Sequence, residues 1–394
     1  MERTRAAPLA SPMGRARSLI GVLVSVGVVG LGWGTLMPLI PVLLQREGVS
    51  EGWIGVNSAM PTLAVLTVGA AMGALLGRLG LARALFGSLG LIVVAILALH
   101  LFRDFWSSVL LRYVIGLGAG LHWILSETWV NSIAPPHRRG LVVGLYSTIY
   151  MSGFTIGPAA LSQLDLDGPW SFLLIAGTTA VAGIALWLVR RDLPHVDPER
   201  ATPSWEVLAT GKPVFLAALG SGLIDSAAWS LVPVYALEMH TPAEVTLLLV
   251  SVFNAGTVAT QIALGWLADR IGAAAVILAC ALAVAGCAMT LPYVFHVTWL
   301  AAVTLLLLGS AAGGLYAISL VALGVRFAGP TIAGANALFI TLYSTGSLLG
   351  PPLAGFLMQT TSPEALPAFI VAVAVVLALA LALSSAAPAI DRPR

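Results

Sequence analysis

Three charged side chains stand inside long apolar runs of the sequence: Arg112, Glu127 and Asp225. A charge at the centre of a bilayer costs about 2.5–3.5 kcal/mol on insertion scales, so each of these residues is a functional candidate. A buried carboxylate can bind a proton or a cation, whereas a buried arginine can bind an anion. The pattern therefore predicts proton or ion handling inside a membrane, with Asp225 as the first candidate for the coupling proton.

The depths of Asp225 and Arg112 follow from the helical rise of 1.5 Å per residue. Asp225 lies ~18 Å from Pro213, where its apolar run begins, which is close to the middle of a ~30 Å hydrocarbon core. Arg112 lies ~10 Å from Phe105 and enters from the other side, so nearly the same depth is expected. Two interpretations stay open: the two charges pair across a substrate cavity, or Arg112 snorkels or braces a carbonyl and Asp225 is structural.

Glu127 and His122 are further candidates for the proton path. Glu127 lies ~22 Å beyond Arg112 along the same predicted helix, near its end. It either carries protons or only neutralises Arg138 or Arg139. His122 lies deeper, and the ordinary pKa of a histidine side chain suits proton exchange, but a lone buried histidine is also common as a hydrogen-bonded packing residue.

The composition of the chain predicts an integral membrane protein. Of its residues, 59% are hydrophobic and 9% charged, whereas soluble domains have roughly 45–50% and about 25%. The net charge of +2 argues against a nucleic-acid partner. Cys280 and Cys287 would lie about 10 Å apart on one helix, too far for a disulfide. Without a metal-ligand cluster, a nucleotide-binding loop or a nucleophile–base pair, the sequence predicts neither an enzyme nor a cofactor.

Apolar runs long enough to span a bilayer recur along the whole chain, separated by charges, prolines or short polar turns. We predict an all-α fold with twelve transmembrane helices at 18–45, 53–76, 83–101, 106–131, 141–163, 170–189, 213–238, 244–267, 273–295, 298–324, 331–359 and 364–384. The segment 191–212 is charged and contains proline, as expected of a linker between two six-helix bundles. The predicted parts are a leader (1–17), two halves (18–190 and 213–386), that linker, and a tail (387–394).

Basic residues predict the orientation of the spans, because Lys and Arg are retained on the cytoplasmic side. Of the 19 basic residues, 16 fall in the two terminal segments or in the even connections. Arg46 and Arg103 fall in odd connections, and Arg112 is inside a span. Both termini are therefore expected in the cytoplasm of a bacterium, with the chain in its inner membrane.

The two halves resemble each other in sequence. The segment GLYSTIYMSGFTIGP (144–158) aligns without a gap on ALFITLYSTGSLLGP (337–351), with Tyr150 matching Tyr343 at an offset of 193. An offset within one residue of this value also relates Pro41 to Pro233 and Gly120 to Gly314. Duplication is the simplest account, since parallel halves with a site between them are a known transporter plan.

Aromatic residues follow the same offset near the charged positions. Trp33 aligns with Asp225, and His122 aligns with Tyr316. Trp123 falls within about 20° of Arg112 on a helical wheel, so the two should share a face. We predict that Trp33, Trp123 and Tyr316 line a cavity for an amphipathic substrate. Tryptophans near span ends are instead expected at the interface or facing lipid: Trp53, Trp106, Trp170 and Trp299.

With twelve predicted spans in two repeated halves and the loop motifs between them, the whole chain resembles the major facilitator superfamily. That family has a G-x-x-x-D-R-x-G loop after the second helix of each half. The second-half copy is intact, with Gly265, Asp269, Arg270 and Gly272. In the first half Gly73, Arg78 and Gly80 match, but Gly77 replaces the aspartate. The resemblance implies that Asp269 and Arg270 form a cytoplasmic gate and that the first-half gate is weaker.

Further motifs extend the resemblance. The fourth span carries Arg112, Gly116 and Gly118, similar to the family's R-x-x-x-G motif. The fifth resembles the antiporter motif, although Leu161 and Ser162 replace its closing glycines. The run SETWVN (126–131) is similar to a poorly characterised bacterial branch. Predicted helix-packing positions are Gly144, Gly153, Gly157, Pro158 and their second-half counterparts Gly346, Gly350 and Pro351.

These observations predict a monomeric secondary transporter that exchanges a small organic molecule for a proton by alternating access to the two sides of the bilayer. Export is inferred from the antiporter-like motif alone. One alternative is a proton symporter for a carboxylate or sugar, with Arg112 binding the anion. Another is a receptor or lipid-translocating protein that has lost coupling, because fold does not fix function.

Overall fold

The structure is a computed structural model that describes residues 12–135, 138–166, 168–190, 205–327 and 331–385. Most of the predicted leader, most of the predicted linker and the predicted tail lie outside these residues. Within the described residues all regular structure is helical. The helices are α1 Pro12–Arg46, α2 Glu51–Leu101, α3 Phe105–Ile133, α4 Arg139–Leu161, α5 Trp170–Leu188, α6 Lys212–Glu238, α7 Ala243–Ala259, α8 Gln261–Ile271, α9 Ala273–Val294, α10 Thr298–Arg326, α11 Thr331–Thr360 and α12 Ala365–Ser385.

The helices follow the predicted spans with two differences. The second and third spans run together as α2, which is interrupted by the non-helical backbone of Gly80. The eighth span is divided at Thr260, where α7 ends and α8 follows. Gly80 and Gly272 both have a positive φ, 71° and 89°, which side chains with a Cβ rarely adopt. The final glycine of each loop motif is therefore required by the turn between two spans.

By length and composition, ten helices in the described parts of the chain can cross a membrane. The expected fifth span, α4, is not among them, although Arg139–Leu161 is helical. The expected second span is helical as well, within the first part of α2. Trp106, Trp170 and Trp299, near span ends, are each 66–67% exposed. Their place at the interface or facing lipid stays a prediction.

The cap of α3 matters because this helix carries Arg112, His122 and Glu127. Asp104 precedes the helix and accepts a hydrogen bond from the Ser107 backbone N–H at 3.0 Å. Hydrogen bonds from Ser107 hold the pKa of Asp104 below its usual value, because they stabilise the ionised carboxylate. The start of the span is thereby fixed by an N-cap.

Within the described residues the chain forms two compact units. The first unit contains Met1–Gly34, Leu63–Phe154 and Gly168–Arg200, and the second contains Thr35–Thr62, Thr155–Asp167 and Ala201–Arg394. In the first unit, α1 and α4 touch backbone to backbone. An added Cβ at Gly153 would overlap the Gly30 carbonyl carbon, and one at Gly30 would lie 2.5 Å from the Tyr150 carbonyl oxygen. Small residues permit this approach in spanning helices.

In the second unit, α6 and α11 pack in the same way. An added Cβ at Gly222 would overlap the Tyr343 carbonyl oxygen, and one at Gly346 would overlap the Leu219 carbonyl oxygen. The contacts in the two units occupy equivalent sequence positions, because Gly30 aligns with Gly222, and Gly153 with Gly346, at the repeat offset. The duplication read from the sequence thus recurs in the packing.

We predict that Gly222→Ala destabilises the protein while Gly286→Ala does not. The new methyl group at position 222 meets backbone on α11, and overpacking of this kind costs about 1–3 kcal/mol. The Cβ position of Gly286 meets no described atom within 4 Å, so alanine there is neutral or stabilising through its helix propensity. The apparent melting temperature of the detergent-solubilised protein measures the difference. Equal melting temperatures for the two variants would contradict the packing argument.

Candidate substrate and proton site

Asp225 lies at the middle of α6, with thirteen residues on each side before the helix ends at Lys212 and Glu238. Its side chain is buried, with 7% of its surface exposed. A carboxylate in this position is far from both ends of the helix, and its depth in the bilayer stays a prediction. An isolated anion there is costly, so the residue requires a partner.

Tyr343 of α11 is that partner. Its hydroxyl group donates a hydrogen bond to Oδ2 of Asp225 over 3.4 Å. The contact follows from the helix packing, because Gly222 lies against the Tyr343 carbonyl oxygen and Asp225 is one turn further along α6. A second bond, from the Ser226 hydroxyl to the Ser347 carbonyl oxygen at 2.7 Å, fixes the same register. Tyr343 was not predicted as a site residue, although it lies in the repeated segment 337–351 and aligns with Tyr150.

A row of aromatic rings extends from Asp225. The rings of Tyr343 and Tyr316 have centroids 4.7 Å apart, and those of Tyr316 and Phe339 have centroids 5.6 Å apart. Phe339 is fully buried, whereas Tyr316 and Tyr343 are half-buried. Trp229, also half-buried, follows Asp225 by four residues and therefore lies on the same face of α6. The carboxylate thus has aromatic neighbours on its own helix and on the facing helix.

In the first unit, α3 presents Arg112 and His122, both only 1% exposed. The Nε2 atom of His122 is hydrogen-bonded to the Ser25 hydroxyl at 3.0 Å, which joins α3 to α1. This partner is the kind expected of a packing histidine, and the same bond would respond to protonation of the ring. Arg112 belongs to the first unit and Asp225 to the second, so their pairing stays a prediction.

The remaining predicted residues of α3 lie further along the helix. Glu127 is half-buried, and its carbonyl oxygen accepts a hydrogen bond from the Asn131 side chain at 3.0 Å. The adjacent Ser126 hydroxyl contacts the Tyr146 hydroxyl at 2.9 Å, which ties α3 to α4. Trp123 is 39% exposed. Trp33, on α1, is half-buried, and a common role of these tryptophans with Tyr316 stays a prediction.

The loop motif of the second half lies at the end of α8. The guanidinium of Arg270 stacks on the ring of Trp266, one turn earlier, at 3.9 Å from the ring centroid. Within the described residues Asp269 makes no hydrogen bond or ion pair. In the first half, Gly73 and the exposed Arg78 lie within α2, before the turn at Gly80. The gating role of these residues, Gly265 and Gly272 included, stays a prediction.

The predicted packing glycines divide into two kinds. Gly153, Gly346 and Gly350 each touch a facing backbone. Gly144 differs, because an added Cβ there would meet no described atom within 4 Å. The other predicted packing residues are buried within α4 and α11: Gly157, Pro158 and Pro351.

The second unit also contains a dense contact at the ends of its helices that lie opposite the basic loops. The start of α2 packs on α11, since an added Cβ at Gly55 would overlap the Pro351 carbonyl oxygen and one at Gly355 would overlap that of Glu51. Gln45, on α1, donates a side-chain hydrogen bond to the carboxylate of Glu238, on α6. Gln45 and Glu238 are themselves separated by the repeat offset of 193. This end of the second unit is therefore held by two backbone contacts and one side-chain bond.

We predict that Gln45 and Glu238 are energetically coupled. Hydrogen bonds to charged groups contribute about 1.5–3 kcal/mol, and removal of either partner leaves the other unsatisfied. The variants Gln45→Ala and Glu238→Ala should each lower the melting temperature, and the double variant should lose less than the sum of the two losses. A double-mutant cycle on the solubilised protein measures this coupling. Additive losses would show that the pair contributes nothing jointly, and the exposed Glu244→Ala provides the control.

Comparisons with known proteins point to one family. The family model described as Major Facilitator Superfamily matches residues 22–216 and again residues 214–394. The uncharacterized MFS-type transporter YfkF of Bacillus subtilis is 24% identical over 364 residues, covering 91% of this chain and 93% of that protein. The uncharacterized MFS-type transporter YcaD of Escherichia fergusonii is 26% identical over 352 residues, covering 87% and 89%.

Solved structures show the same fold at low sequence identity. A mutant of the nucleoside transporter NupG superposes with a TM-score of 0.76 at 14% identity, covering 93% of this chain and 99% of that one. A bacterial homolog of the human lysosomal transporter Spinster, in an inward-facing and occupied conformation, gives 0.75 at 14% identity, covering 97% and 98%. Both matches extend over nearly the whole chain.

Proposed function

Since this chain belongs to the Major Facilitator Superfamily, a family of multi-pass membrane transporters rather than enzymes, we propose that it exports small organic molecules in exchange for protons. The export direction is supported by the antiporter-like sequence of α4. We place the chain, as a monomer, in the bacterial inner membrane with both termini in the cytoplasm. The bacterial relatives and the distribution of basic residues support this placement.

The proposal that proton and substrate transport are coupled rests on one observation. Asp225 is buried at the middle of α6, with Tyr343 as its hydrogen-bond partner. A buried carboxylate binds either a proton or a cation, and the two compete for it. A substrate that needs the ionised form of Asp225 would displace the proton, and a proton arriving from the acidic side would release the substrate. One side chain then links the two fluxes.

Alternating access is proposed between the halves 18–190 and 213–386. The two separate matches of the family model support this division. The contacts of Gly55 with Pro351 and of Gln45 with Glu238 lie at helix ends that we assign to the outer side, and they support a state closed on that side. We assign Asp269 and Arg270 to the closing of the cytoplasmic side in the other state.

We predict that Asp225→Asn abolishes proton-driven accumulation but leaves substrate exchange partly intact, because exchange needs no net proton movement. Inside-out vesicles, acidic inside, are tested with a panel of fluorescent cationic, neutral and anionic amphiphiles. At least one compound should accumulate in a gradient-dependent way with the wild-type chain. Glu244→Gln, which removes an exposed carboxylate beside α6, serves as the matched control.

Two results would contradict this proposal. If Asp225→Asn still concentrates the compound when the gradient is imposed, Asp225 is structural and the proton path runs through Glu127 or His122. If no compound responds to the gradient in the wild type, proton-coupled export itself is wrong.

A proton symporter for a carboxylate is the second candidate, supported by the burial of Arg112 within α3. An anion would pair with that guanidinium in a cavity. Under export of cations or neutral compounds, we predict that Arg112→Gln retains gradient-driven accumulation in the vesicle assay. Under symport, radiolabelled carboxylates should enter right-side-out vesicles with protons, and Arg112→Gln should abolish their uptake while Arg103→Gln leaves it unchanged.

A further inference from the structure

We propose that the site on the second unit binds an amphipathic organic cation, with its charge at Asp225 and its apolar part against Tyr343, Tyr316 and Trp229. The inference rests on the proposed function, since it assigns a substrate class to the same site. Three features of the second unit support it: the distribution of charge on the helices that form the site, the carboxylate oxygen of Asp225 that accepts no hydrogen bond, and the exposure of the aromatic rings.

Charge on the three helices of the site is concentrated at one point. Over their described lengths, α6, α10 and α11 carry only four charged residues, and Lys212, Glu238 and Arg326 stand at helix ends. Asp225 is the fourth and is alone at mid-span. Because these three helices bring no cation to this depth, their own contribution to the field at Asp225 favours a positively charged ligand and disfavours an anion.

The carboxylate of Asp225 keeps one oxygen for a ligand. Tyr343 donates to Oδ2 and is the one hydrogen-bond partner of Asp225 among the described residues, which leaves Oδ1 open. The side chain of Asp225 retains 7% of its surface exposed. In the proposed complex the cationic group contacts Oδ1, and the bond from Tyr343 to Oδ2 stays in place.

The rings near Asp225 are arranged to accept both the charge and the apolar part of a ligand. A cation over an aromatic face gains about 0.5–1 kcal/mol when exposed and about 2 or more when desolvated. Tyr316 and Tyr343 are half-buried, so their faces are only partly covered by packing, and Trp229 is half-buried on the same side of α6 as Asp225. Their apolar surfaces suit a bulky organic group next to the charge.

A buried apolar cluster closes the far end of the row. Tyr316 and Tyr343 pack against fully buried residues of α6 and α11, among them Phe215, Leu338 and Phe339. This cluster packs against one side of the two tyrosines, and both keep part of their surface exposed. The row therefore forms an apolar surface that ends at a single carboxylate, an arrangement that suits an aromatic cation.

The test measures equilibrium binding to the full-length, detergent-solubilised protein without any gradient. The probe is radiolabelled tetraphenylphosphonium, and the competitor is tetraphenylborate, which has nearly the same shape and the opposite charge. Tetraphenylphosphonium should bind, and tetraphenylborate should not compete. Asp225→Asn should weaken binding at least about tenfold, while Glu244→Gln binds as the wild type does.

Two variants at Tyr316 measure the contribution of the aromatic ring to binding. Tyr316→Leu should weaken binding about two- to thirtyfold, and Tyr316→Phe, which retains the ring, should bind within about twofold of the wild type. Size-exclusion profiles and melting temperatures identify variants that fail to fold, and the Leu and Phe substitutions at one position keep the test informative if Asp225→Asn is unstable.

The inference is overturned if tetraphenylborate competes equally, or if folded Asp225→Asn and Tyr316→Leu both bind the probe as the wild type does. Its failure differs from failure of the proposed function. Binding without gradient-driven accumulation in vesicles would retain the cation site and reject proton coupling. Gradient-driven accumulation of a neutral compound, with no binding of the probe, would retain coupling and reject the cation site.

Discussion

The contact between the backbones of α6 and α11 is the constraint on which the second unit depends. In lipid there is no hydrophobic drive between helices, so their association relies on close dispersion contacts and on satisfied polar groups. Gly222 and Gly346 allow each helix to touch a carbonyl group of the other, and the bond from Ser226 to the Ser347 carbonyl oxygen fixes the register. Once that register is set, Asp225 has Tyr343 beside it.

Duplication explains why the same scaffold recurs with different chemistry. The glycine contacts of α1 with α4 repeat those of α6 with α11, because any larger residue would separate the helices in either unit. The side chains next to those contacts are under no such constraint. Trp33 stands where the second half has Asp225, and His122 stands where it has Tyr316. The packing positions are shared by the halves, whereas the polar positions have diverged, and a single mid-span acid in α6 is the result.

Hydropathy predicted the helices well, because it depends on local composition. The pairing of α1 with α4 and of α6 with α11 was not predicted, since contacts between helices do not follow from the composition of either one. The breaks at Gly80 and Thr260 were less visible, since a glycine or threonine in an apolar run can be helical or not according to its backbone angles. Trp229 and Tyr343 were not predicted as site residues. Their roles arise from a neighbour on the same helix face and from a contact across helices, and a search for charges in spans detects neither.

Two side-chain hydrogen bonds between α6 and α11 differ in length and in their sensitivity to charge. The Ser226 hydroxyl lies 2.7 Å from its acceptor, whereas the Tyr343 hydroxyl lies 3.4 Å from Asp225, so the first is the stronger bond. The short bond joins a hydroxyl to a backbone carbonyl and is insensitive to charge. The long bond ends on a carboxylate and must change when that group binds a proton or a cation. The carbonyl oxygen of Tyr343 also lies against Gly222, where the two helices are closest. A change in the bond to Asp225 therefore acts on a residue that is part of the backbone contact. A difference of ~1.4 kcal/mol in such a contact between two states alters their ratio tenfold. Under the proposed function, binding at Asp225 therefore biases the packing of α6 on α11 while the bond from Ser226 keeps the helices in register.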